Sequence, residues 1–154
     1  MNIGIIGLGV VGSANKAGFD KLGHTVVVHD TKLNTTIDAV QNTECVFVCV
    51  PTPSKPNGDC NTDIVESVIK QLDNINYKGI IAIRSSTVPG FTQSMLDKYN
   101  NRQICFVPEF VRERCAEHDF INEHEMLAVG TKDNYVYDTI VKAHGHYPKH
   151  TVQL

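Results

Sequence analysis

The sequence predicts an α/β fold: a doubly wound parallel sheet of about six strands in a single domain. Three observations predict it. Apolar, β-branched runs alternate with stretches of helical period along the chain. The first run, Ile3 to Ile6, feeds directly into Gly7-x-Gly9-x-x-Gly12 and a helix. The second, Thr25 to Val28, ends beside an acid, Asp30. Strand, glycine turn, helix, strand and acid form the order of a Rossmann-like dinucleotide fold.

In this reading Gly7 makes the tight turn off the strand. Gly9, lacking a Cβ, lets a pyrophosphate approach the backbone, and Gly12 lets the helix pack against the sheet. The helix N-terminus offers free N–H groups and a positive dipole end to phosphates. Asp30 lies 18 residues beyond Gly12, near the expected spacing of roughly 20. Its carboxylate suits the ribose hydroxyls and repels a 2′-phosphate, so NAD is expected over NADP. FAD uses the same fingerprint, and these residues alone do not separate it from NAD.

The first helix is expected over 11–22, with Val11, Ala14, Gly18, Phe19 and Leu22 on its apolar face and Gly23 ending it. A strand covers 25–29. Residues 31–44 are short and polar, with room for one or two helical turns at 35–40. The continuous apolar run Cys45 to Val50 reads as a strand buried on both faces, stopped by Pro51-Thr52-Pro53. A loop (54–60) and a helix (about 62–74) follow. The next strand, 80–84, leads into Ser85-Ser86-Thr87-Val88-Pro89-Gly90, then a helix at about 91–99 and a strand at 103–107. Residues 114–124 read as polar and irregular, 126–129 as the last strand and 133–144 as the last helix. Residues 146–154 read as a tail without clear structure, so the domain is expected over 1–145. The sheet order reverses between the first and third strands, which places a ligand crevice beyond their C-terminal ends. Three loops, at 51–53, 86–89 and 108–110, leave the same edge and ring it.

Composition narrows the function classes. The chain has 154 residues, is 42% hydrophobic and 20% charged, and carries a formal net charge of −3. Scattered basic residues on an acidic chain argue against a nucleic-acid surface. No apolar run is long enough to span a bilayer, and the N-terminus lacks the features of a signal peptide, so the expected location is the cytoplasm with no membrane partner. The five cysteines lack the spacing of a zinc or redox motif. Cys45, Cys49 and Cys105 read as buried reduced thiols, whereas Cys60 and Cys115 lie in polar stretches. His144, His146 and His150 do not match zinc spacing and read as a solvated tail; no metal is expected.

With these loops in place the sequence resembles the NAD-binding domain of the UDP-glucose/GDP-mannose 6-dehydrogenases. The matching pieces are Gly7 to Gly12, Asp30, Val50-Pro51-Thr52-Pro53, Ser86-Thr87-Val88-Pro89-Gly90 and Val107-Pro108-Glu109-Phe110-Val111-Arg112-Glu113, in the family's order. The resemblance implies oxidation of a nucleotide sugar at C6 with NAD. It implies that Gly7, Gly9, Val10, Val11 and Gly12 contact the pyrophosphate and Asp30 the adenosine ribose. Val50, Pro51 and Thr52 would line the cofactor across the crevice. Thr87 would lie near the reacting centre and also touch the cofactor, with Glu109 sharing acid–base work. Glu109, Phe110, Val111, Arg112 and Glu113 would meet the nucleotide sugar, and Glu113 also the nicotinamide end. Read from the residues alone, Thr87 equally fits a helix cap, and Glu109 and Glu113, four apart, fit a solvated helical face.

The chain departs from the family pattern twice. The crossover after Asp30 is reduced to 31–44, which leaves the second strand as a sheet edge and predicts homo-oligomerisation. The family's central helix and second domain, with its nucleophilic cysteine, are absent from these residues. The second oxidation passes through a thioester-type intermediate that needs an activated thiolate. Full four-electron oxidation is therefore not expected of this chain alone. The expectations are an enzyme part that works with a separate catalytic subunit, a binding module for NAD and a nucleotide sugar, or a truncated relic.

Overall fold

A computed structural model describes residues 1–154. Five parallel strands form the main sheet in the order β2-β1-β3-β4-β5. They are β1 (Asn2–Ile6), β2 (Thr25–His29), β3 (Cys45–Val48), β4 (Ile80–Ile83) and β5 (Gln103–Phe106). Two further strands, β6 (Met126–Val129) and β7 (His150–Gln153), pair in parallel as a separate two-stranded sheet. An antiparallel bridge between Phe106 and Gly130 joins it to the β5 edge. The expected single sheet of about six strands is thus five plus two. The tail expected from His146 onward is partly β7, held because the Lys149 and His150 N–H groups donate to the His124 and Glu125 carbonyls.

Strand alternation divides the core into two layers. Ile3, Ile5, Phe47 and Ala82 face one side, where they meet Phe19, Phe120 and Ile140. Ile6, Val46, Val48, Ile81 and Ile83 face the other, against Val65, Ile69, Leu72 and Met95. The helices that supply these partners are α1 (Val10–Lys21), α2 (Asp63–Asn74), α3 (Phe91–Lys98), α4 (Ala116–Asn122) and α5 (Asn134–His144). The fold is therefore doubly wound.

Residues expected to be irregular, 114–124, hold the end of a 3₁₀ turn (Glu113–Cys115) and all of α4. At seven residues α4 is too short to show a helical period. Phe120 is wholly buried, edge-on to Phe19 at 5.4 Å between ring centroids. The fit depends on Gly18 of α1, where an added Cβ would stand 2.3 Å from the Phe120 ring. His144 is also wholly buried rather than part of a solvated tail. The crossover after β2 holds only a 3₁₀ turn, Ile37–Val40, and β2 is an outer strand of the sheet.

Candidate active site

The glycine turn is built as its sequence demands. Gly7 has φ +95°, and its N–H donates to the His29 carbonyl at 2.9 Å, tying the turn to the end of β2. A Cβ on Gly7 would lie 2.6 Å from the Cys49 carbonyl oxygen, and one on Gly12 only 1.8 Å from that of Gly7. Gly9 differs: a Cβ there would meet nothing within 4 Å. The fold does not need Gly9 to be bare; an approaching ligand would. Gly9 is the N-cap of α1, and no side chain caps that helix end, so its first N–H groups remain available to phosphate oxygens.

Asp30 accepts the Leu8 N–H at 2.7 Å on one carboxylate oxygen and the Lys32 N–H at 2.8 Å on the other. The Leu8 bond above all holds its pKa below the ordinary carboxylate value, with the Lys32 bond second. Each oxygen keeps a lone pair for a ribose hydroxyl.

Two cavities flank the turn. One, of about 510 Å³, is lined by Gly7, Asp30, Val50 and Pro51 together with α2. The other, of about 300 Å³, is lined by Val11, Val50, Pro51, Thr52 and Glu109. Val50 and Pro51 are common to both, so the cavities adjoin across the third strand's end. The residues fit a dinucleotide: one half on each side, and the phosphates over Gly9.

Other sequence candidates are dispersed. Thr87 lines a separate cavity of about 620 Å³ with Thr92, Thr131 and Lys132, not the one that holds Glu109. It does not cap α3; that N-cap is Gly90 at φ +85°. Glu109 and Glu113 do not share a helical face. The backbone at Arg112 is extended, and only Glu113 enters the 3₁₀ turn. Glu113 lines a shallow recess with Val10 and Ser13 of α1, whereas Phe110 is 62% exposed and lines a different cavity with Asp119 and His124. Val111 lines a cavity on either side of Glu109. Arg112 is committed: its guanidinium holds the buried Asp119 with bonds of 2.9 and 2.8 Å, and its own N–H adds a third. This pairing drives the Asp119 pKa far down, the Arg112 side-chain bond contributing most.

Sequence reasoning missed the group beneath Glu109. Arg84, whose side chain is wholly buried, continues β4 and carries its charge into the core. Its Nε donates to Asn15 Oδ1 at 2.9 Å, and a terminal nitrogen stands 3.5 Å from Glu109 Oε2. The other terminal nitrogen donates to His144 Nε2. Asn15 Nδ2 donates to the same Glu109 oxygen at 3.0 Å. A buried cation is tolerable only when paired and hydrogen-bonded, and these partners meet that condition. The available signal was a lone charged residue at the end of Ile80-Ile81-Ala82-Ile83 and a lone amide on the apolar face of α1.

Three of the thiols are not poised for attack. Burial pushes Cys45 and Cys49 up to about 12, and Cys105 higher still. Cys60, expected in a polar stretch, is half-buried and bridges two site loops. Its Sγ approaches the Ser86 carbonyl at 3.3 Å and that of Thr52 at 3.9 Å. All five cysteines are free.

Comparison with known proteins identifies a family. Residues 27–146 match the model of the UDP-glucose/GDP-mannose dehydrogenase family, NAD binding domain. A UDP-glucose 6-dehydrogenase of Rickettsia bellii is 26% identical over 92% of this chain and 42% of its own length. A GDP-mannose 6-dehydrogenase of Pseudomonas syringae pv. tomato is 27% identical over 78% of this chain and 38% of its own. The chain thus spans less than half the length of either relative. Among solved structures, a UDP-glucose dehydrogenase from Pyrobaculum islandicum superposes with a TM-score of 0.87 at 19% identity, covering 99% of this chain and 46% of that one. That likeness speaks to the fold. No helix of the chain is long and apolar enough to cross a membrane.

Proposed function

Since the chain belongs to the UDP-glucose/GDP-mannose dehydrogenase family through its NAD-binding domain, we propose that it serves as the NAD-holding part of a nucleotide-sugar dehydrogenase. The observation that carries this reading is the bare Gly9 in a turn whose Gly7 lines one cavity, with Asp30, and whose Val11 lines the adjoining one. When bound, NAD supplies a hydride acceptor. The chain's residues bind and orient it: Gly7, Gly9, Val10, Val11 and Gly12 at the phosphates, Asp30 at the ribose, and Val50, Pro51 and Thr52 along the crevice. Glu109, fixed by Asn15 and Arg84, is the carboxylate best placed to take or hold a proton in the second cavity. Thr87, Phe110, Val111, Arg112 and Glu113 are proposed to face the nucleotide sugar, Arg112 by ordering its loop through Asp119. Thr87 and Glu113 also reach the cofactor in this reading.

Oxidation to the acid needs a thiolate. Burial leaves Cys45, Cys49 and Cys105 unactivated, and the thiolate is proposed to come from a partner catalytic half. Binding without turnover is the second reading, favoured by the same raised thiols. Calorimetric titration separates these from a relic. NAD is expected to bind saturably and NADP at least about tenfold more weakly, because Asp30 repels a 2′-phosphate. Absence of binding by either would sink the proposal. The outer position of β2 also supports self-association through that strand. Sedimentation should show species above the 17.0 kDa of one chain; a single monomer species at every concentration would refute it.

A further inference from the structure

We propose that an acidic cavity on the far side of Glu109 binds a guanidinium group, held between the Glu123 carboxylate and the bare ring nitrogen of His124. The proposal does not depend on the NAD site. The cavity, of about 250 Å³, is lined by Glu109, Phe110, Val111, Asp119 and residues 123–126. Three of its four carboxylates have a cation of their own. Arg84 pairs with Glu109, Arg112 with Asp119 and Lys149 with Glu125. Glu123 is exposed and has no ion pair; Arg112 and Lys149 act on it only over longer distances. One negative charge is thus left over, in a cavity whose acids would repel a diphosphate.

Charge alone selects no ligand; His124 adds the direction. The residue is only 8% exposed. Its Nδ1 lies 3.0 Å from the Phe120 carbonyl oxygen and therefore donates, which leaves Nε2 as the acceptor of a neutral ring. Burial keeps the ring neutral by lowering its pKa from 6.5; the Arg84 charge helps, against smaller opposite effects of the Phe120 bond and Glu109. Nε2 has no partner in the chain, yet no buried side-chain nitrogen or oxygen lacks one. It therefore opens to free space, and the cavity is the space that His124 lines. An orphan ring nitrogen beside an unpaired carboxylate asks for a cation with at least two N–H donors. No cluster of three metal-ligating side chains is present to hold a metal ion there. A guanidinium suits better than an ammonium. Its planar fork donates in two directions at once, it is weakly hydrated, and its faces can lie against the exposed Phe110 and Met126.

The test is NMR titration of the whole chain, carrying ¹⁵N-labelled histidine, with methylguanidinium chloride at pH 7.5. Tetramethylammonium chloride, a cation without N–H donors, is the control. The His124 Nε2 resonance is expected to move saturably with methylguanidinium, with a Kd of about 5 mM for so small a ligand, and to stay in place with tetramethylammonium. Glu123→Gln, a change on an exposed position, is expected to keep the melting temperature within about 2 °C and to weaken binding at least about fivefold. A short peptide carrying one arginine distinguishes the sources. Tighter binding than methylguanidinium makes the ligand an arginine side chain of a polypeptide; equal binding makes it a free guanidinium compound. No movement of the His124 signal, equal movement with tetramethylammonium, or an affinity unchanged in Glu123→Gln would each overturn the proposal.

Discussion

Gly9→Val is expected to abolish NAD binding, by a factor of 100 or more, while the protein stays folded. A factor of about 100 corresponds to about 2.7 kcal/mol, a reasonable loss when a branched side chain fills the space where phosphate oxygens would meet backbone N–H groups. The folded state has little to lose. Gly9 has φ −74°, open to any residue, and a Cβ there touches nothing. The cost is a poorer N-cap, about 1 kcal/mol, or a few degrees of melting temperature. Gly12→Ala makes the contrast. Its Cβ would be forced to within 1.8 Å of the Gly7 carbonyl oxygen, which only backbone movement relieves, so stability is expected to fall by about 3 kcal/mol. Calorimetry with NAD and thermal melts on the two variants check the pair. If Gly9→Val binds NAD as the parent does, the phosphates do not lie on this turn, and the proposed cofactor site is wrong at its centre.

The contrast between Gly9 and Gly12 marks where the sequence was legible. Spacing identified both glycines and placed Asp30 at the end of β2, because this turn is local: thirty residues of contiguous chain build it, and each proposed role follows from backbone geometry. The buried group beneath Glu109 was not legible. Asn15, Arg84, Glu109 and His144 come from four separate elements, and no spacing rule connects positions that only tertiary packing unites. The same limit hid α4. Its anchor, Phe120, is apolar, but Asp119 beside it is buried only because Arg112, seven residues earlier, folds back onto it. A stretch read as polar thus became a helix through a pairing that a linear pattern does not contain. β7 was missed for a related reason: its residues are mostly exposed, so it lacks the apolar run that announces a strand. The reading of Glu109 and Glu113 as one helical face failed differently. The four-residue spacing was real, but the backbone at Arg112, between them, is extended.

The buried histidine predicts how the fold responds to acid. His144 Nδ1 lies 2.7 Å from the Ile140 carbonyl oxygen, so it carries the proton and donates. Nε2 must then accept from Arg84. Only the neutral ring can serve both partners. Burial holds its pKa well below the usual 6.5, with the Arg84 charge next and the nearby His124 and His24 adding smaller effects in the same direction. Native His144 therefore refuses a proton that the unfolded chain binds once the pH drops below about 6.5. Stability is full above that value and falls as the pH is lowered through the window beneath it. The slope is about 1.4 kcal/mol per pH unit for each such proton. His124, also lowered chiefly by burial, acts with the same sign. In His144→Gln the amide can accept from Arg84 and donate to Ile140, and nothing at this position titrates. That variant is expected to be less stable than the parent at pH 8, because the ring's packing against Phe19 and Phe47 is lost, yet to lose stability more slowly on acidification. Its curve should approach the parent's near pH 5. His124 remains in both proteins, so the difference between the curves isolates one proton. Denaturant melts from pH 8 to 5 measure it. Parallel curves would mean that His144 takes up its proton in the folded state. In that case Arg84 is not held by a neutral ring, and the arrangement that fixes Glu109 must tolerate two adjacent cations.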